Sequence, residues 1–286
     1  MNQQRYVVQC LEAIGKLDGH TDALEVIQRF KQSGLSNEQV ATNVINDPLG
    51  AEYILIKGGT FIYSEGKQHK TMPDCYFAKY MVTNQQYRRF ISYLEKNELD
   101  FAERVSVAKY KEHLDGMAKG IKGFTDYLKE EQSFAERFRS MYDEDRKFSG
   151  DEQPVIGVSW FAARAYCMWL SLLTSNGEKA DSYRLPTDVE WEWAAGGQRD
   201  KPDEVLEVQE YPWGVGISSQ HANYNSNEGQ TTPVGRYPKG ATQEGLYDMA
   251  GNVLEWIENW YNENTRSFRV LRGGSWNYYA ESVVSG

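Results

Sequence analysis

Hydrophobic positions near the start of the chain recur at the spacing of an amphipathic helix. They are Val8, Leu11, Ile14, Ala23, Leu24, Ile27 and Phe30, and Gly34 follows them. Such a stripe faces a core in helical proteins, and glycine commonly ends a helix. The pattern therefore predicts a small helical cap over residues 1–50.

The next hydrophobic positions form short runs of the kind found in strands. Residues 53–56 read YILI, Gly58 and Gly59 come next, and Phe61 and Ile62 follow. Two apolar runs separated by a Gly-Gly pair predict a β-hairpin.

Three longer helices are indicated by the residues at which they start. Thr83 with Gln86, and Thr187 with Glu190, have the spacing of a capping box. Residues 159–172 are rich in apolar side chains at helical spacing. We therefore expect helices to begin at Thr83, near Ser159 and at Thr187.

Two stretches differ from their surroundings. Residues 94–150 are rich in Lys and Glu, contain no proline and show helical spacing, so they are interpreted as a helical insertion. Residues 197–245 have almost no periodic pattern, and a long irregular segment in a compact domain needs aromatic packing or bound ions to hold it.

Charge and composition narrow the possible partners. The chain has 31 Lys and Arg against 41 Asp and Glu, a net charge of −10, and contains 8 Trp, 19 Tyr and 11 Phe. The negative charge argues against nucleic acid as a partner. No apolar stretch approaches the length of a membrane span, so we expect a soluble chain. The many aromatic rings favour compact packing of irregular structure, or contact surfaces.

Cysteine and histidine are too scattered for local metal or disulfide motifs. Cys10, Cys75 and Cys167 lie far apart with no CxxC pair, and the four histidines are isolated from one another. This spacing excludes a disulfide scaffold and a local zinc site.

Eight short motifs follow one another in the part of the chain after residue 57. They are GGTF (58–61), VTNQQYRRF (82–90), PVIGVSWFAARAYCMWL (154–170), RLPTDVEWEWAA (184–195), PWG (212–214), TTPVG (231–235), GLYDMAGNVLEW (245–256) and RVLRGGSW (269–276). In this order they resemble the formylglycine-generating-enzyme-like domains, also called sulfatase-modifying-factor domains, a branch of the C-type lectin fold.

The resemblance implies an α+β protein with a C-type-lectin-like fold of the formylglycine-generating-enzyme type, containing short strands, much irregular structure and added helices. The helical cap would occupy residues 1–50 and the family domain residues 51–286, with 94–150 as the helical insertion. Domains of this family continue with a further stretch and a closing strand, so we expect either a C-terminal piece beyond Gly286 or a different closure of the fold.

The resemblance also raises the question of catalysis. The family's founding enzyme oxidises a substrate cysteine with a cysteine pair shortly after GGSW, but here that segment reads NYYAESVVSG, with Tyr278 and Val283 near the expected positions. A second branch, an iron-dependent sulfoxide synthase, takes its iron ligands from a histidine-rich helical bundle, whereas the N-terminal cap contains His20 alone. We therefore expect no redox cofactor and no catalytic residue.

A calcium site is the metal centre that the motifs favour. Asp248 and Glu255 flank a Gly-Asn turn, and with the carbonyls of Gly251 and Val253 they would supply the hard oxygen ligands that Ca²⁺ prefers. The resemblance implies a structural calcium at these positions. The alternative is that Asp248 is a turn residue and Glu255 a buried hydrogen-bonding carboxylate. A second family calcium would use Asn223 and the carbonyl of Tyr224, but the spacing of its acidic partner differs here.

The last ten residues carry the functional prediction. One branch of the family comprises variable proteins of diversity-generating retroelements, in which asparagine-like codons after GGSW are rewritten and the resulting residues line a binding face. The segment here resembles that pattern, and tyrosine suits contact surfaces. We expect ligand contacts from Asn277, Tyr278, Tyr279, Ser282, Val283 and Val284. The alternative is an ordinary aromatic loop.

The residues and the resemblance together predict a non-catalytic, receptor-like protein that binds a protein or another macromolecule. The rival hypothesis is a formylglycine-generating-type or related iron-dependent oxidoreductase of the same fold that acts on a thiol or sulfur substrate, with its cysteines or iron ligands outside the 286 residues of this chain. We expect a monomer with no nucleic-acid partner. Two locations stay open: the cytoplasm, which suits an acidic soluble chain, and the cell surface, where receptors of this kind are displayed after export.

Overall fold

The computed structural model describes residues 43–129, 133–196 and 206–285. The chain divides into two compact units, Met1–Thr42 and Asn43–Gly286, and the described residues belong to the second. The helical prediction for residues 1–42 therefore lies outside them. No helix in the described ranges is long and apolar enough to cross a membrane.

Residues 43–50 form a strand and a turn, so the prediction of a helical cap is wrong for them. Strand β1 (Val44–Asn46) pairs antiparallel with β2 (Glu52–Ile56). The Asp47 carboxylate accepts a hydrogen bond from the Ala51 N–H at 2.9 Å. An aspartate that bonds the backbone a few residues ahead favours a turn over a helix.

The strands of the described residues form three small sheets. In the first, β1, β2 and β5 (Cys75–Ala78) lie in that order and pair antiparallel. In the second, β3 (Gly59–Tyr63) lies between β4 (Gln68–Met72), to which it is antiparallel, and β6 (Leu206–Glu207), to which it is parallel. The third is the antiparallel pair of β7 (Glu255–Trp260) and β8 (Arg269–Arg272).

The predicted hairpin of β2 and β3 is wrong, although both runs are strands. The two strands belong to different sheets, and each pairs with strands other than its sequence neighbour. Gly58 lies between them, and a Cβ on it would lie 2.2 Å from the Met72 carbonyl oxygen. The chain therefore crosses from one sheet to the next through a close backbone approach that requires glycine.

Six α-helices lie in the described ranges. They are α1 (Asn84–Leu94), α2 (Leu99–Arg104), α3 (Val107–Lys119), α4 (Phe124–Leu128), α5 (Trp160–Thr174) and α6 (Asp188–Gly196). Their presence beside small sheets confirms an α+β class.

The helix starts predicted from capping residues are confirmed. Thr83 and Gln86 form both hydrogen bonds of a capping box at the start of α1. Thr187 and Glu190 do the same before α6, with the Thr187 N–H donating to Glu190 Oε2 at 2.8 Å. The Ser159 hydroxyl accepts from the Ala162 N–H at the start of α5. These side chains satisfy donors that the first helical turn leaves unpaired.

Segment 94–150 is helical over only part of its length. Helices α2, α3 and α4 end at Leu128, and residues 133–150 contain one short 3₁₀ turn (Glu136–Phe138) followed by further turns. Met141, which stands at helical spacing from Phe134 and Phe138 in the sequence, is 80% exposed. Residues 143–145 read Asp-Glu-Asp and favour turns. Such carboxylates accept hydrogen bonds from backbone N–H groups that would otherwise bond within a helix.

The larger core lies between α1, α5 and the helices of segment 94–150. Trp169 of α5 is fully buried, and the rings of Phe90 and Phe101 lie 5.2 and 5.5 Å from it. Tyr110 and Phe124 of α3 and α4 are also fully buried in this cluster. Segment 94–150 therefore completes the core.

A second core lies between the strands and α6 and accounts for part of the aromatic excess. Trp191 and Trp193 are 0% and 3% exposed and pack with Phe61, Leu246 and Ile257. The Trp193 indole donates to the Lys57 carbonyl at 3.0 Å. These rings support irregular segments that contain few ladder hydrogen bonds of their own.

Candidate functional site

The candidate binding segment begins where β8 ends. Gly273 and Gly274 have φ angles of +86° and +75°, a conformation that glycine adopts without strain. A Cβ on Gly274 would lie 2.4 Å from Val283 Cγ1. The chain therefore turns sharply after β8 and folds back so that Val283 packs directly on the turn.

The structure separates the six predicted contact residues into two groups. Asn277, Tyr278, Tyr279 and Ser282 are exposed, and the exposed fractions of the two tyrosines are 39% and 71%. We call these four residues the C-terminal face.

The other two are valines, and for Val283 the predicted ligand contact is wrong. Val283 is fully buried and packs with Tyr211 and Ala250. Its side chain fits against the turn because Gly274 has no Cβ that would occupy the same space. Val284 is half-buried against the same cluster. Its predicted contact with ligand stays a prediction.

Main-chain hydrogen bonds hold the C-terminal face in place. The Asn225 N–H donates to the Tyr278 carbonyl and the Ser226 N–H to the Trp276 carbonyl, each at 2.7 Å. The Trp276 N–H donates to the Asn252 carbonyl at 2.9 Å. Asn225 and Ser226 adopt left-handed backbone conformations, which aim their N–H groups at the loop.

An aromatic stack supports the loop from the other side, and the sequence analysis did not identify it as part of the site. The Trp213 ring lies between Tyr211 and His221, at centroid distances of 5.3 and 5.0 Å and interplanar angles of 5° and 11°. The Tyr211 hydroxyl donates to the Ala280 carbonyl at 3.3 Å. The PWG motif was the available indication, since it contains Trp213.

The two carboxyl groups predicted to bind calcium are buried close together. Burial raises the pKa of Asp248 to about 6, although the Gly235 N–H donates to its Oδ2 at 2.8 Å. Burial also raises the pKa of Glu255 to about 8, with the nearby Asp248 charge adding to the rise. The Trp191 indole favours the charged form of Glu255 without reaching hydrogen-bond geometry.

These residues fit a calcium ion by their chemistry. Neither carboxyl group forms an ion pair with another described residue. Ionising two such desolvated groups costs free energy, and a bound divalent cation offsets that cost. No group of three or more His, Cys, Asp and Glu side chains in the described ranges is placed to hold a metal. Carbonyl oxygens, such as those of Gly251 and Val253, would therefore complete the coordination, as they often do for Ca²⁺.

The second candidate calcium site has one feature in its favour and one against it. Asn223 is fully buried, and its Oδ1 has no hydrogen-bond partner, whereas its Nδ2 donates to the Gln230 carbonyl at 2.9 Å. An orphaned buried oxygen suits a cation. However, Glu228, the nearest acidic candidate in sequence, is paired with Arg236 at 3.0 Å.

The cysteines lie away from the C-terminal segment in sequence and in the elements that carry them. Cys75 is in β5 and Cys167 in α5, and Cys10 lies outside the described residues. Burial raises the pKa of Cys167 to about 12. Because the thiolate is the reactive form, this cysteine is a poor nucleophile and a poor redox partner.

Comparison with known proteins gives a matching family and several relatives. Residues 39–285 match the family described as the Sulfatase-modifying factor enzyme 1-like domain. The chain is 28% identical over 277 residues to the serine/threonine-protein kinase Pkn1 of Chlamydia trachomatis serovar L2, a match that covers 86% of this chain and 38% of the relative.

Two further relatives match a smaller share of the chain. The inactive C-alpha-formylglycine-generating enzyme 2 of Bos taurus is 38% identical over 136 residues, covering 44% of this chain and 39% of the relative. The hercynine oxygenase of Mycobacterium tuberculosis is 35% identical over 147 residues, covering 44% of this chain and 30% of the relative. The matched region thus spans less than half the length of each of these relatives.

Proposed function

Because this chain belongs to the family of Sulfatase-modifying factor enzyme 1-like domains, we propose that it is a non-catalytic member that binds a protein or another macromolecule through its C-terminal face. The resemblance based on eight motifs is confirmed at the level of the family. The family includes relatives named as inactive and relatives named as oxygenases, so family membership alone does not decide between binding and catalysis.

One observation carries the proposal. Tyr278 and Tyr279 are exposed on a loop whose backbone carbonyls are held by Asn225 and Ser226. Tyrosine offers a large contact area with few rotatable bonds, and a loop fixed before binding loses little entropy when the ligand arrives. Exposed aromatic rings on a fixed loop are what a binding surface needs and what a folded core does not require.

The finer parts of the proposal concern fold type, metal and origin. We infer a C-type-lectin-like fold, with a structural Ca²⁺ held by the carboxylates of Asp248 and Glu255 and the carbonyls of Gly251 and Val253. We further infer that a diversity-generating retroelement varies the exposed residues of the C-terminal face. The test is genomic: a near-duplicate of the codons after Gly274, differing mainly at adenines and lying beside a reverse transcriptase gene, would support this origin.

The alternative function is an oxidoreductase acting on a thiol or sulfur substrate, favoured by the similarity to a hercynine oxygenase. The raised pKa of the Cys167 thiol argues against that cysteine as the reactive group of such an enzyme. A mass-spectrometric assay with a cysteine-containing peptide, in the presence of oxygen and either copper or iron, separates the two functions. Catalytic turnover of the peptide would replace binding as the conclusion.

Selection from a random peptide library tests binding. The full chain is immobilised, and enriched peptides are measured again on a Tyr278→Ser/Tyr279→Ser variant. The matched control is Tyr261→Ser/Phe268→Ser, which removes two rings that are 79% and 73% exposed on the β7–β8 hairpin. We expect the first variant to lose binding and the control to retain it. Equal binding by all three proteins would contradict the proposal.

A further inference from the structure

A row of aromatic rings connects segment 94–150 to the C-terminal face. The Tyr142 and Phe148 rings pack edge to face with centroids 5.5 Å apart, and Phe148 lies 6.0 Å from Trp276. Tyr142 is 39% exposed, and Phe148 and Trp276 are half-buried. Trp276 directly precedes Asn277, the first residue of the C-terminal face, in the chain.

The segment that carries Phe148 is held firmly in place. The buried Asn84 amide donates to the carbonyls of Phe148 and Gly150 at 2.8 and 2.9 Å. Arg88 donates to the Ser149 carbonyl and to the carboxylate of Asp151, each at 2.7 Å. The ring of Phe148 is therefore presented on a fixed backbone, like the tyrosines of the C-terminal face.

A surface cavity of about 340 Å³ is lined in part by residues that follow Phe148 closely in the chain. It is lined by Gly150, Asp151, Glu152, Gln153, Gln230 and Pro233. The lining residues 150–153 begin two residues after Phe148 in the chain. Gln230 also lines the cavity, and its carbonyl accepts a hydrogen bond from Asn223, two residues before Asn225, which with Ser226 holds the loop of the C-terminal face.

The surroundings of the row and the cavity are acidic. Glu144, Asp145, Glu152 and Glu281 are exposed and form no ion pair with another described residue, whereas Arg146 and Lys147 are the exposed cations in the same stretch of chain. Asp151 and Asp143 are already paired with Arg88 at 2.7 Å. Residues 142–153 and 277–285, which carry part of the row and the C-terminal face, thus contain four unpaired exposed carboxylates and two exposed cations.

We propose that the aromatic row, the cavity lined by residues 150–153 and the C-terminal face form one composite surface that binds an extended Lys- or Arg-rich segment of a partner protein; this inference rests on the proposed function. Cationic side chains are attracted both by aromatic faces and by carboxylates. An acidic segment would be repelled, and an uncharged segment would leave the carboxylates unused. The cavity admits a side chain, and the row supports the rest of an extended chain.

The experiment uses fluorescent ten-residue peptides of alternating sequence, Gly-Arg, Gly-Gln and Gly-Glu, titrated with the full chain and followed by anisotropy. We expect the Gly-Arg peptide to bind and the Gly-Gln and Gly-Glu peptides not to bind. A Glu144→Gln/Glu152→Gln/Glu281→Gln variant should weaken Gly-Arg binding about tenfold, since each exposed charge contributes modestly. Phe148→Leu should weaken it as well.

The matched control removes the same charge elsewhere. Glu103, Glu112 and Asp115 are exposed on α2 and α3 and form no ion pair with another described residue. A Glu103→Gln/Glu112→Gln/Asp115→Asn variant should bind the Gly-Arg peptide as the unmodified chain does. Equal weakening by both triple variants would overturn the inference, because the net charge alone would then explain binding. Circular dichroism and urea unfolding confirm that each variant is folded.

This inference and the proposed function fail in different ways. If library selection yields peptides that depend on Tyr278 and Tyr279 but are not enriched in Lys or Arg, the proposed function stands and the cationic partner is wrong. If no selected peptide depends on those tyrosines, the proposed function is wrong. Gly-Arg binding that depends on Glu152 and Phe148 but not on Tyr278 would place the site on segment 141–153 alone and contradict the composite surface.

Discussion

Neighbouring residues in the last ten positions differ completely in what they do. Tyr279 is 71% exposed, whereas Val283, four residues later, is fully buried against the turn at Gly274. Both positions belong to the segment predicted to contact ligand. Among the six residues predicted to do so, Asn277, Tyr278, Tyr279 and Ser282 are exposed and can change without altering the packing of the core.

A stability comparison tests this division. Val283→Ala should lower the free energy of unfolding by about 1.5–3 kcal/mol, because a buried valine loses its packing. Tyr279→Ser should change it by less than about 0.5 kcal/mol, as expected for an exposed position. Urea unfolding followed by fluorescence measures both. Equal effects of the two substitutions would place Val283 on the surface.

Calcium binding is a second prediction at the scale of single residues. Calcium should raise the free energy of unfolding, by about 2.7 kcal/mol when free calcium is about a hundredfold above its Kd. Glu255→Gln should remove this increase, and Glu152→Gln, which changes an exposed carboxylate, should retain it. Unfolding in calcium and in a chelator provides the measurement. If the unmodified chain unfolds identically in both, Asp248 and Glu255 are a turn residue and a buried hydrogen-bonding group.

At the scale of elements, the predicted helix starts are confirmed, and the predicted pairing of β2 with β3 is wrong. Thr83 and Thr187 cap helices through contacts within three residues, so neighbouring residues are sufficient to specify them. Strands β2 and β3 are both predicted as strands, but β2 pairs with β1 and β5, and β3 pairs with β4 and β6. Pairing depends on residues distant in sequence, and the Gly-Gly pattern between β2 and β3 contains no information about them.

The start of α6 leads to a prediction about pH. Burial alone would raise the pKa of Glu190, but the Arg184 guanidinium and the Thr187 N–H lower it below its usual 4.5. The native carboxyl thus stays ionised at a lower pH than the unfolded one. Its contribution to stability is complete above about pH 4.5 and disappears as the pH falls through the native pKa.

Urea unfolding of the unmodified chain and of Glu190→Gln measures this contribution. The difference in unfolding free energy between the two proteins should be largest near neutral pH and should shrink as the pH falls below 4.5. Glu112→Gln, an exposed substitution on α3, serves as the control and should leave the pH profile unchanged. A difference that stays constant down to acidic pH would mean that the ion pair with Arg184 does not lower the pKa of Glu190.

At the scale of the whole molecule, segment 94–150 has two consequences. Its helices supply Phe101, Tyr110 and Phe124 to the core around Trp169, and its last turns present Tyr142 and Phe148 at the surface. The sequence suggested a separate insertion because the segment is rich in Lys and Glu. Many of its apolar residues nevertheless face inward, whereas Leu99, Met141 and Tyr142 are exposed.

Deletion tests the structural role of this segment. Replacing residues 97–128 by a short Gly-Ser linker should abolish cooperative unfolding, because Trp169 would lose the ring of Phe101, and Phe90 and Tyr93 would lose the ring of Tyr110. The measurement is the urea transition followed by tryptophan fluorescence. A sharp transition in the deleted chain would show that the rest of the domain folds without the segment.

The sequence alone determined the family, the α+β class, the helix caps and the exposed tyrosines after GGSW. These features depend on local spacing or on motifs that stand in a fixed order. The tertiary structure decided which strands pair, that Val283 is buried and that Phe148 lies beside Trp276, because each of these depends on a contact between distant parts of the chain. Such contacts form only when distant side chains pack together in the folded chain, and no local pattern of polar and apolar residues specifies them.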